Sequence, residues 1–477
     1  MKILGIESSC DETAAAVVED GSRLLSNVVA SSMDLHVQYG GVVPEIAARS
    51  HIEVIDGVIQ QALEDAHCTW QEIDAIAVTY GPGLGGSLLI GVLAARTLAI
   101  VHQKPLYAIN HVEAHVYSNF LTEAAVPRAT SHEPRKEHAS KLKDGERNKP
   151  EHSEGGERSE PEGGELAASE AMRPPEGRLD SPQSTATCSI THYHLPKSPP
   201  LFPALALIVS GGHTQLALFR YHFDYTLLGQ TQDDAVGEAF DKVAKIIGLP
   251  YPGGPSVSQA AITGNPHTFH FPKAKMTSAS PELAALRQAD NRTGPSAGLA
   301  PVRSAGGKRG EPEVEQGRHE QRDVSPEEEP APPRKIPASY DFSFSGLKTA
   351  VLRTAQELIG ENFNFPSKDI PARLTGVQQA DIAASFQRVA IETVVDKTLQ
   401  AYEEFGPKSV IIAGGVAANR ELRRQLAERL PLPIEYADPK LCTDNGAMIA
   451  ALGCFHMKYS RPTTDPYTLD IAPNLSM

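Results

Sequence analysis

Short apolar runs bounded by glycine-rich or polar turns recur along the chain and predict buried strands. The predicted strands cover 3–6, 14–18, 75–78, 106–109, 205–209, 215–219 and 410–413. Longer segments carry apolar residues three or four positions apart, which is typical of amphipathic helices. The predicted helices cover about 45–66, 87–102, 235–247, 346–358, 377–405 and 444–459, with a short one starting at 111. This alternation of strands and helices predicts an α/β fold.

The same order of elements opens two parts of the chain. A strand, the polar turn 7–13 and a second strand begin the first part, and a strand, the turn 210–214 and a second strand begin the other. This self-similarity predicts an internal duplication.

Two polar segments interrupt this pattern. No aromatic residue occurs from about Pro127 to about Ser189 or from about Ala279 to about Ser339, where charged residues, Ser, Gly and Pro dominate. Such segments bury too little apolar surface to offset the entropy of ordering them, so we predict disordered insertions at 127–200 and 279–339. The remaining sequence divides into an N-terminal half at 1–126, the start of a second half at 201–278 and the remainder of that half at 340–477.

Composition limits the function classes. The formal charge of −15 argues against bulk affinity for nucleic acid, so a nucleic-acid substrate needs a local basic patch or a basic partner. The five cysteines include no Cys-x-x-Cys pair, which fits a reducing compartment and favours a cytoplasmic protein. We find no continuous apolar run of about 18 residues and expect no membrane span.

His111 and His115 lie four positions apart on a predicted helix, so both point to one side. Two such imidazoles can hold one divalent metal, and an aspartate from another segment, such as Asp444, can complete a three-ligand set with open positions. Glu113 lies on the opposite face and is a poor base for a zinc protease of the His-Glu-x-x-His type.

Four glycine-rich turns follow predicted strands or open predicted helices, around Gly83, Gly211, Gly254 and Gly414. Such turns let backbone N–H groups approach a phosphate, although a tight turn also needs glycine for steric reasons alone. Two polar residues near these turns have two interpretations each. Asn419 either binds a ribose or caps the next helix, and Asp241 either accepts from ribose hydroxyls or pairs with Lys245.

Asp11 and Glu12 form a carboxylate pair in the first turn, either solvated or acting as a general base or near a metal. The helix at 45–66 carries a wide apolar stripe of Ile52, Ile55, Ile59 and Leu63, widened by Val54 and Val58. This stripe either packs beneath the N-terminal sheet or binds a helix of a partner subunit. If it binds a partner, replacing Ile55 and Val58 by glutamate should break the association without unfolding the protein.

These motifs together resemble the bacterial tRNA adenosine threonylcarbamoyltransferase family, formerly described as glycoproteases. The matching segments are 5–13, 39–45, 81–84, 110–115, 209–214, 237–242, 251–255, 342–349, 414–420 and 443–450. They occur in family order over nearly all of the chain outside the two insertions. Neither insertion removes a motif residue, although both could slow the approach of tRNA.

The resemblance implies two ribonuclease-H-like halves of the actin, sugar-kinase and Hsp70 superfamily, with the active site between them. It implies transfer of the threonylcarbamoyl group from threonylcarbamoyl-adenylate to N6 of the adenosine 3′ of the anticodon, in tRNAs that read codons beginning with A. The implied partners are tRNA, a related partner subunit and an ATPase. The implied metal is iron or zinc, and we expect one iron ion (Fe2+) per chain.

The resemblance also assigns the site residues. The implied metal ligands are His111, His115 and Asp444, and the implied substrate contacts are Ile208, Val209, Ser210, Gly211, Gly212, Asp241, Gly254 and Asn419. The alternatives are a metal-dependent kinase of the same superfamily and a non-catalytic partner subunit. The kinase leaves the histidine pair unexplained, and an intact ligand set argues against the non-catalytic subunit.

Overall fold

The computed structural model describes residues 1–123, 186–187, 193–274, 276, 339–434 and 436–477. Within this part of the chain the first sheet has the strand order β5-β4-β1-β2-β3-β6. Its strands are β1 Lys2–Glu7, β2 Glu12–Glu19, β3 Arg23–Ser31, β4 Ala75–Gly81, β5 Leu106–Asn110 and β6 Ala186–Thr187. Strands β1 to β3 form an antiparallel meander, and β4 and β5 extend the sheet in parallel on the other side of β1.

A second sheet repeats this topology with the order β10-β7-β8-β9. Its strands are β7 Ala204–Val209, β8 Thr214–Tyr221, β9 Asp224–Gln230 and β10 Ser409–Ala413. Strands β7 to β9 again form an antiparallel meander, and β10 pairs in parallel with β7, as β4 does with β1. The predicted α/β fold of two ribonuclease-H-like halves is confirmed, and each half has a third strand, β3 or β9, that the sequence pattern did not predict.

Helices follow the carboxyl ends of these strands or cover the sheets. They are α1 Met33–His36, α2 Pro44–Asp65, α3 Gly85–His102, α4 His111–Tyr117, α5 Val236–Ile247, α6 Gly253–Ala261, α7 Ser345–Leu358, α8 Gly376–Phe405, α9 Arg420–Arg429, α10 Pro439–Cys442 and α11 Gly446–Lys458. Most of the predicted insertions at 127–200 and 279–339 lies outside the described residues, so disorder there stays a prediction. For the described part of the first insertion the prediction is wrong, because β6 pairs with β3 of the first sheet. Two described residues at their edges, Leu195 and Ser339, are buried.

The two faces of the first sheet belong to different cores. Alternate residues such as Leu4 and Ile6 pack beneath α2 and α3, whereas Ile3 and Ala16 join a core with α4, α11 and the second half. This division follows from the two-residue period of a strand. Helix α11 therefore returns from the end of the chain to the first sheet.

The prediction that Ile55 and Val58 on α2 form a partner interface is wrong. Ile55 and Val58 are only 6% and 1% exposed, because they pack with Ile59 and Leu63 on the first sheet. These stripe residues therefore belong to the core between α2 and the first sheet. Ile52, also part of the predicted stripe, lies outside this core and is 62% exposed. Glutamate at 55 or 58 would bury an unpaired charge, so the predicted pair of substitutions would unfold the domain.

Helix α3 is long and apolar enough to cross a membrane by length and composition, with a mean hydropathy of 1.5, although it is not a continuous apolar run. It packs against β4 and α2. Arg96 on this helix donates hydrogen bonds to the backbone carbonyls of Pro466, Tyr467 and Leu469. These contacts are those of a core helix of a folded domain.

Candidate metal and substrate site

Helix α4 begins directly after β5 and presents the histidine pair. The Asn110 side chain caps this helix by accepting from the backbone N–H groups of Val112 and Glu113, at 2.9 and 3.2 Å. One helical turn separates His111 from His115, and their ring centroids lie 4.8 Å apart. Both side chains are buried, so both point into the protein from the same side of α4.

Asp444 reaches these histidines from the far end of the chain. The sequence pattern placed it inside the last helix, but α11 begins at Gly446 and is capped by Asn445, whose side chain accepts from Met448 N–H at 3.0 Å. A Cβ atom on Gly446 would lie 2.6 Å from the backbone of Ala15, so glycine permits the close packing of α11 on β2. This packing brings Asp444 to face α4.

The three side chains form a group that could hold a metal ion. Their ligand atoms all lie within 4.8 Å of one another, and Asp444 Oδ1 is 3.5 Å from His111 Nε2 and 3.3 Å from His115 Nε2. Both ring nitrogens of His115 are buried without a hydrogen-bond partner among the described residues. An unsatisfied buried polar atom is costly, and a bound cation would satisfy His115 Nε2. The residues therefore fit a divalent metal.

The charges in this group support the same conclusion. Burial alone would raise the pKa of Asp444, but the charges of His111 and His115 outweigh burial and hold the pKa well below its usual range. Burial would lower the pKa of His111, but the carboxylates of Asp444 and Glu7 raise it to about 9. Asp444 is thus ionised at neutral pH, as a metal ligand must be.

Two residues beside the metal group were missing from the sequence prediction. Glu7 is fully buried, with Oε2 lying 3.3 Å from His111 Nδ1. His213 comes from the second half, and its ring centroid is 6.4 Å from that of His111. Burial, followed by the charges of His111 and His115, lowers the pKa of His213 to about 4. The sequence did offer one signal for Glu7, since it is a charged residue at the end of an apolar strand.

The turn between β7 and β8 therefore faces the metal group. It is closed by the Ser210 N–H, which donates to the His213 carbonyl at 2.8 Å, and by the His213 N–H, which donates to Ser210 Oγ at 3.1 Å. The side chains of Ile208 and Val209 are fully buried in the core, so only their backbone could contact a ligand. Gly211 and Gly212 are exposed in this turn.

The glycine turns divide into two kinds. A Cβ atom on Gly83 or Gly414 would lie 2.6 Å from Ser9 O or 2.5 Å from Val209 O, so these two glycines are needed for packing. By contrast, a Cβ atom on Gly211, Gly212 or Gly254 would meet nothing within 4 Å. No other segment of the described chain requires glycine at these three positions, and the space beside them is open to a ligand.

Asp241 and Asn419 both lie beside α6. Asp241 Oδ1 accepts from the Gly253 N–H at 2.6 Å, and Lys245 makes no ion pair with it among the described residues. Asn419 does cap α9, accepting from Leu422 N–H at 3.0 Å, but its amide also donates to Ser258 Oγ on α6 at 3.1 Å. The structure thus groups Asp241, Asn419 and Gly254 at one end of the second half.

Asp11 and Glu12 extend from the first half toward the same region. Burial and then the carboxylates of Asp241 and Asp11 raise the pKa of Tyr251, and the charge of Asp11 also acts on Asp241, so Asp11 of the first half lies near these two residues of the second. Glu12 starts β2, and burial, followed by the charges of Asp11 and Asp444, raises its pKa well above the usual range. The pair is therefore not a solvated turn.

Glu113 lies on α4 with the two histidines but is not part of the metal group. It is 9% exposed, and its Oε1 has no hydrogen-bond partner among the described residues. Burial raises the pKa of Glu113 to about 7, against the charge of Arg461. This position does not fit the base of a metalloprotease.

Comparison with known proteins identifies the family. The sequence profile of TsaD, tRNA N6-adenosine threonylcarbamoyltransferase, matches residues 23–132, 185–292 and 301–451. The chain belongs to this family. A curated relative of that name from Thermomicrobium roseum is 38% identical over 100% of this chain and 97% of its own length. Another from Dehalococcoides mccartyi is 36% identical over 100% of this chain and 99% of its own length.

Among solved structures, the activator of the 2-hydroxyisocaproyl-CoA dehydratase from Clostridium difficile is 12% identical and covers 99% of this chain and 100% of its own, at a TM-score of 0.40. Membership of the tRNA threonylcarbamoyltransferase family makes this protein a transferase that modifies tRNA. The family name describes neither a kinase nor a protease.

Proposed function

We propose that this transferase takes the threonylcarbamoyl group from threonylcarbamoyl-adenylate and transfers it to N6 of the adenosine 3′ of the anticodon, in tRNAs that read codons beginning with A. The observation that supports this most is the convergence of His111, His115 and Asp444 within 4.8 Å, opposite the glycine turn of the second half. A group of residues that could hold a metal, close to a turn whose glycines border open space, suits an adenylate with its acyl end toward that group.

His111, His115 and Asp444 would hold the metal through two imidazole nitrogens and a carboxylate oxygen. We propose iron as the natural ion and zinc as the alternative, since this ligand set suits both. With positions left open for substrate, the bound ion would act as a Lewis acid that polarises the threonylcarbamoyl carbonyl.

The open glycines would hold the adenylate. Gly211, Gly212 and Gly254 have free space where a Cβ would stand, so phosphate and ribose can approach the backbone closely. Asp241 lies beside Gly254 and can accept from a ribose hydroxyl through its second oxygen, since Oδ1 already accepts from Gly253 N–H. The backbone of Ile208, Val209 and Ser210 would also contact the adenylate. Asn419, whose amide donates to Ser258 on α6, would lie next to these contacts.

The reaction needs one proton acceptor. The N6 amine attacks the threonylcarbamoyl carbonyl carbon, the bond from that carbon to the phosphate oxygen breaks, and AMP leaves. The amine loses one proton, and we assign its acceptance to the Asp11 and Glu12 carboxylates. A raised pKa suits Glu12 to this task, because a base works best when its pKa approaches the working pH.

The tRNA must approach an acidic protein. With a formal charge of −15, the chain gains little from the phosphate backbone by itself. The anticodon loop is single-stranded, so its base can enter the site without opening a duplex. We therefore propose action in the cytoplasm together with a related partner subunit and an ATPase, which complete the tRNA surface.

We place the surface that binds the partner subunit on the outer face of α2 and α3, and no longer on the predicted stripe. The two helices pack together where Gly86 meets Ala48, whose Cβ would be 3.1 Å from a Cβ on the glycine. Ile52 on α2 and Leu89 and Leu93 on α3 are 62%, 41% and 44% exposed. Two packed helices with exposed apolar residues offer a surface for the corresponding helices of a related subunit.

The test is transfer in a purified system. Threonylcarbamoyl-adenylate and unmodified tRNA transcripts are supplied with the protein, with and without partner proteins, and the modified nucleoside is measured by mass spectrometry. His111→Ala, His115→Ala and Asp444→Ala should each lose metal and lower transfer by more than about 100-fold, while the thermal unfolding transition is kept.

The control is His102→Ala, which removes a histidine that stacks on Trp70 at the end of α3. It should keep wild-type metal content and activity. Transfer to a transcript with guanosine in place of the target adenosine would contradict the proposed acceptor. Full metal content in a ligand variant would remove that residue from the set, and phosphoryl transfer from ATP to a small substrate would favour the kinase alternative.

A further inference from the structure

Glu7 is a buried carboxylate to which the proposed reaction gives no role. It is the last residue of β1 and is fully buried between β2 and β4. A buried carboxylate is unfavourable unless its oxygens accept hydrogen bonds or face a positive charge. Its partners therefore indicate why it is there.

Both oxygens of Glu7 are occupied. Oε1 accepts from the Ser9 N–H at 2.6 Å, and Oε2 accepts from the Thr79 hydroxyl. Oε2 also lies 3.3 Å from His111 Nδ1, and Ser9 Oγ lies 3.1 Å from the same nitrogen. Thr79 is on β4, next to β1, so the carboxylate is held by two adjacent strands of the sheet.

An ionised carboxylate can only accept, so His111 must donate from Nδ1. When a metal displaces the second proton and the ring becomes neutral, its lone pair then lies on Nε2, which is the nitrogen 3.5 Å from Asp444 Oδ1. His115 lacks such a partner, since neither of its ring nitrogens has a hydrogen bond among the described residues. The two histidines thus differ in how firmly their ring orientation is set.

We propose that Glu7 is a positioning residue that fixes the tautomer and ring orientation of His111, so that Nε2 is the nitrogen offered to the metal. This rests on the proposed function in taking His111 as a metal ligand. Carboxylates that orient a histidine in this way raise the affinity of the site for metal by about 10–100-fold. Glu7 is not itself proposed as a ligand, because it contacts His111 Nδ1, whereas the metal would lie between His111 Nε2 and Asp444.

The full-length protein offers a matched pair of variants. Glu7→Gln keeps the shape but removes the charge that accepts from His111. Glu113→Gln changes another buried carboxylate, which lies on the same helix as His111 but is not part of the metal group. Zinc affinity, measured by competition with a chromogenic chelator, should fall about 10–100-fold in Glu7→Gln and by less than about 3-fold in Glu113→Gln.

The outcomes are distinct. Equal zinc affinity in Glu7→Gln and wild type overturns the proposal and leaves the metal assignment standing, whereas absence of zinc binding by the wild type overturns both. If Glu7→Gln does not fold, the zinc-loaded wild type labelled with 15N-histidine gives the answer by NMR. A protonated Nδ1 and a zinc-bound Nε2 on His111 support the proposal, and zinc on Nδ1 overturns it.

Discussion

Gly253 and Gly254 are adjacent glycines at the start of α6, and the structure gives them different reasons to be glycine. A Cβ on Gly253 would lie 2.5 Å from Asp241 Cα and Phe240 O on α5, whereas a Cβ on Gly254 would meet nothing within 4 Å. We therefore expect Gly253→Ala to damage folding and Gly254→Ala to damage nucleotide binding only.

The magnitudes follow from these contacts. Real Cβ atoms do not approach closer than 3.0 Å, so Gly253→Ala must displace backbone, which is costlier than moving a side chain. Overpacking of this kind costs about 1–3 kcal/mol, and the gain in helix propensity offsets at most about 1 kcal/mol. A clash with backbone belongs at the upper end of this range, so the net loss is about 2 kcal/mol, which lowers the melting temperature by about 3 °C in a chain of this size. In Gly254→Ala the gain in helix propensity is opposed by Pro255, whose ring disfavours helical backbone at a preceding residue that has a Cβ, so the melting temperature should stay within about 2 °C of the wild type.

The assay combines thermal unfolding with isothermal titration of AMP, the nucleotide product of the proposed reaction. Gly254→Ala should bind AMP at least about 10-fold more weakly, a loss of about 1.4 kcal/mol, because the methyl group fills the space where the nucleotide approaches the backbone. Wild-type AMP affinity in Gly254→Ala would refute the assignment of this glycine to the substrate site. Wild-type stability in Gly253→Ala would refute the steric argument itself.

Three further predictions test other parts of the structure. Ile52→Glu should change the free energy of unfolding by less than about 0.5 kcal/mol and abolish binding of the proposed partner subunit in sedimentation. The control Ile55→Glu should lower the free energy of unfolding in urea by about 3–5 kcal/mol. Partner binding by Ile52→Glu would place the interface elsewhere. Deleting 127–184 and 279–338 should shift the melting temperature by less than about 2 °C, and a large cooperative loss would show that these segments pack. Burial lowers the pKa of His456 from 6.5 to about 4, so the unfolded chain binds more protons and stability falls as the pH drops from 6.5 toward 4. His456→Gln should flatten that part of the stability profile, and an unchanged slope would contradict the burial argument.

Local sequence predicted most elements near their observed bounds. The helix from 377 to 405 begins at Gly376 and ends at Phe405, and the strand from 3 to 6 extends over Lys2–Glu7. The third strand of each half was missed, because Arg23–Ser31 and Asp224–Gln230 mix polar and apolar residues without a clear period. Pairing with the neighbouring strand decides their conformation, and that pairing is not local.

The histidine pair needs only the helical period, so the sequence by itself determined that His111 and His115 point the same way. Periodicity also predicted that α2 has an apolar face. It could not show that the sheet covers Ile55 while Ile52 stays exposed, because burial depends on which element packs on that face. Only the tertiary structure decided that α11 carries Asp444 to the histidines, that Glu7 meets His111 Nδ1, and which glycines border open space. These are contacts between segments far apart in the chain, and they are set by the packing of the sheets and helices, which local sequence does not encode.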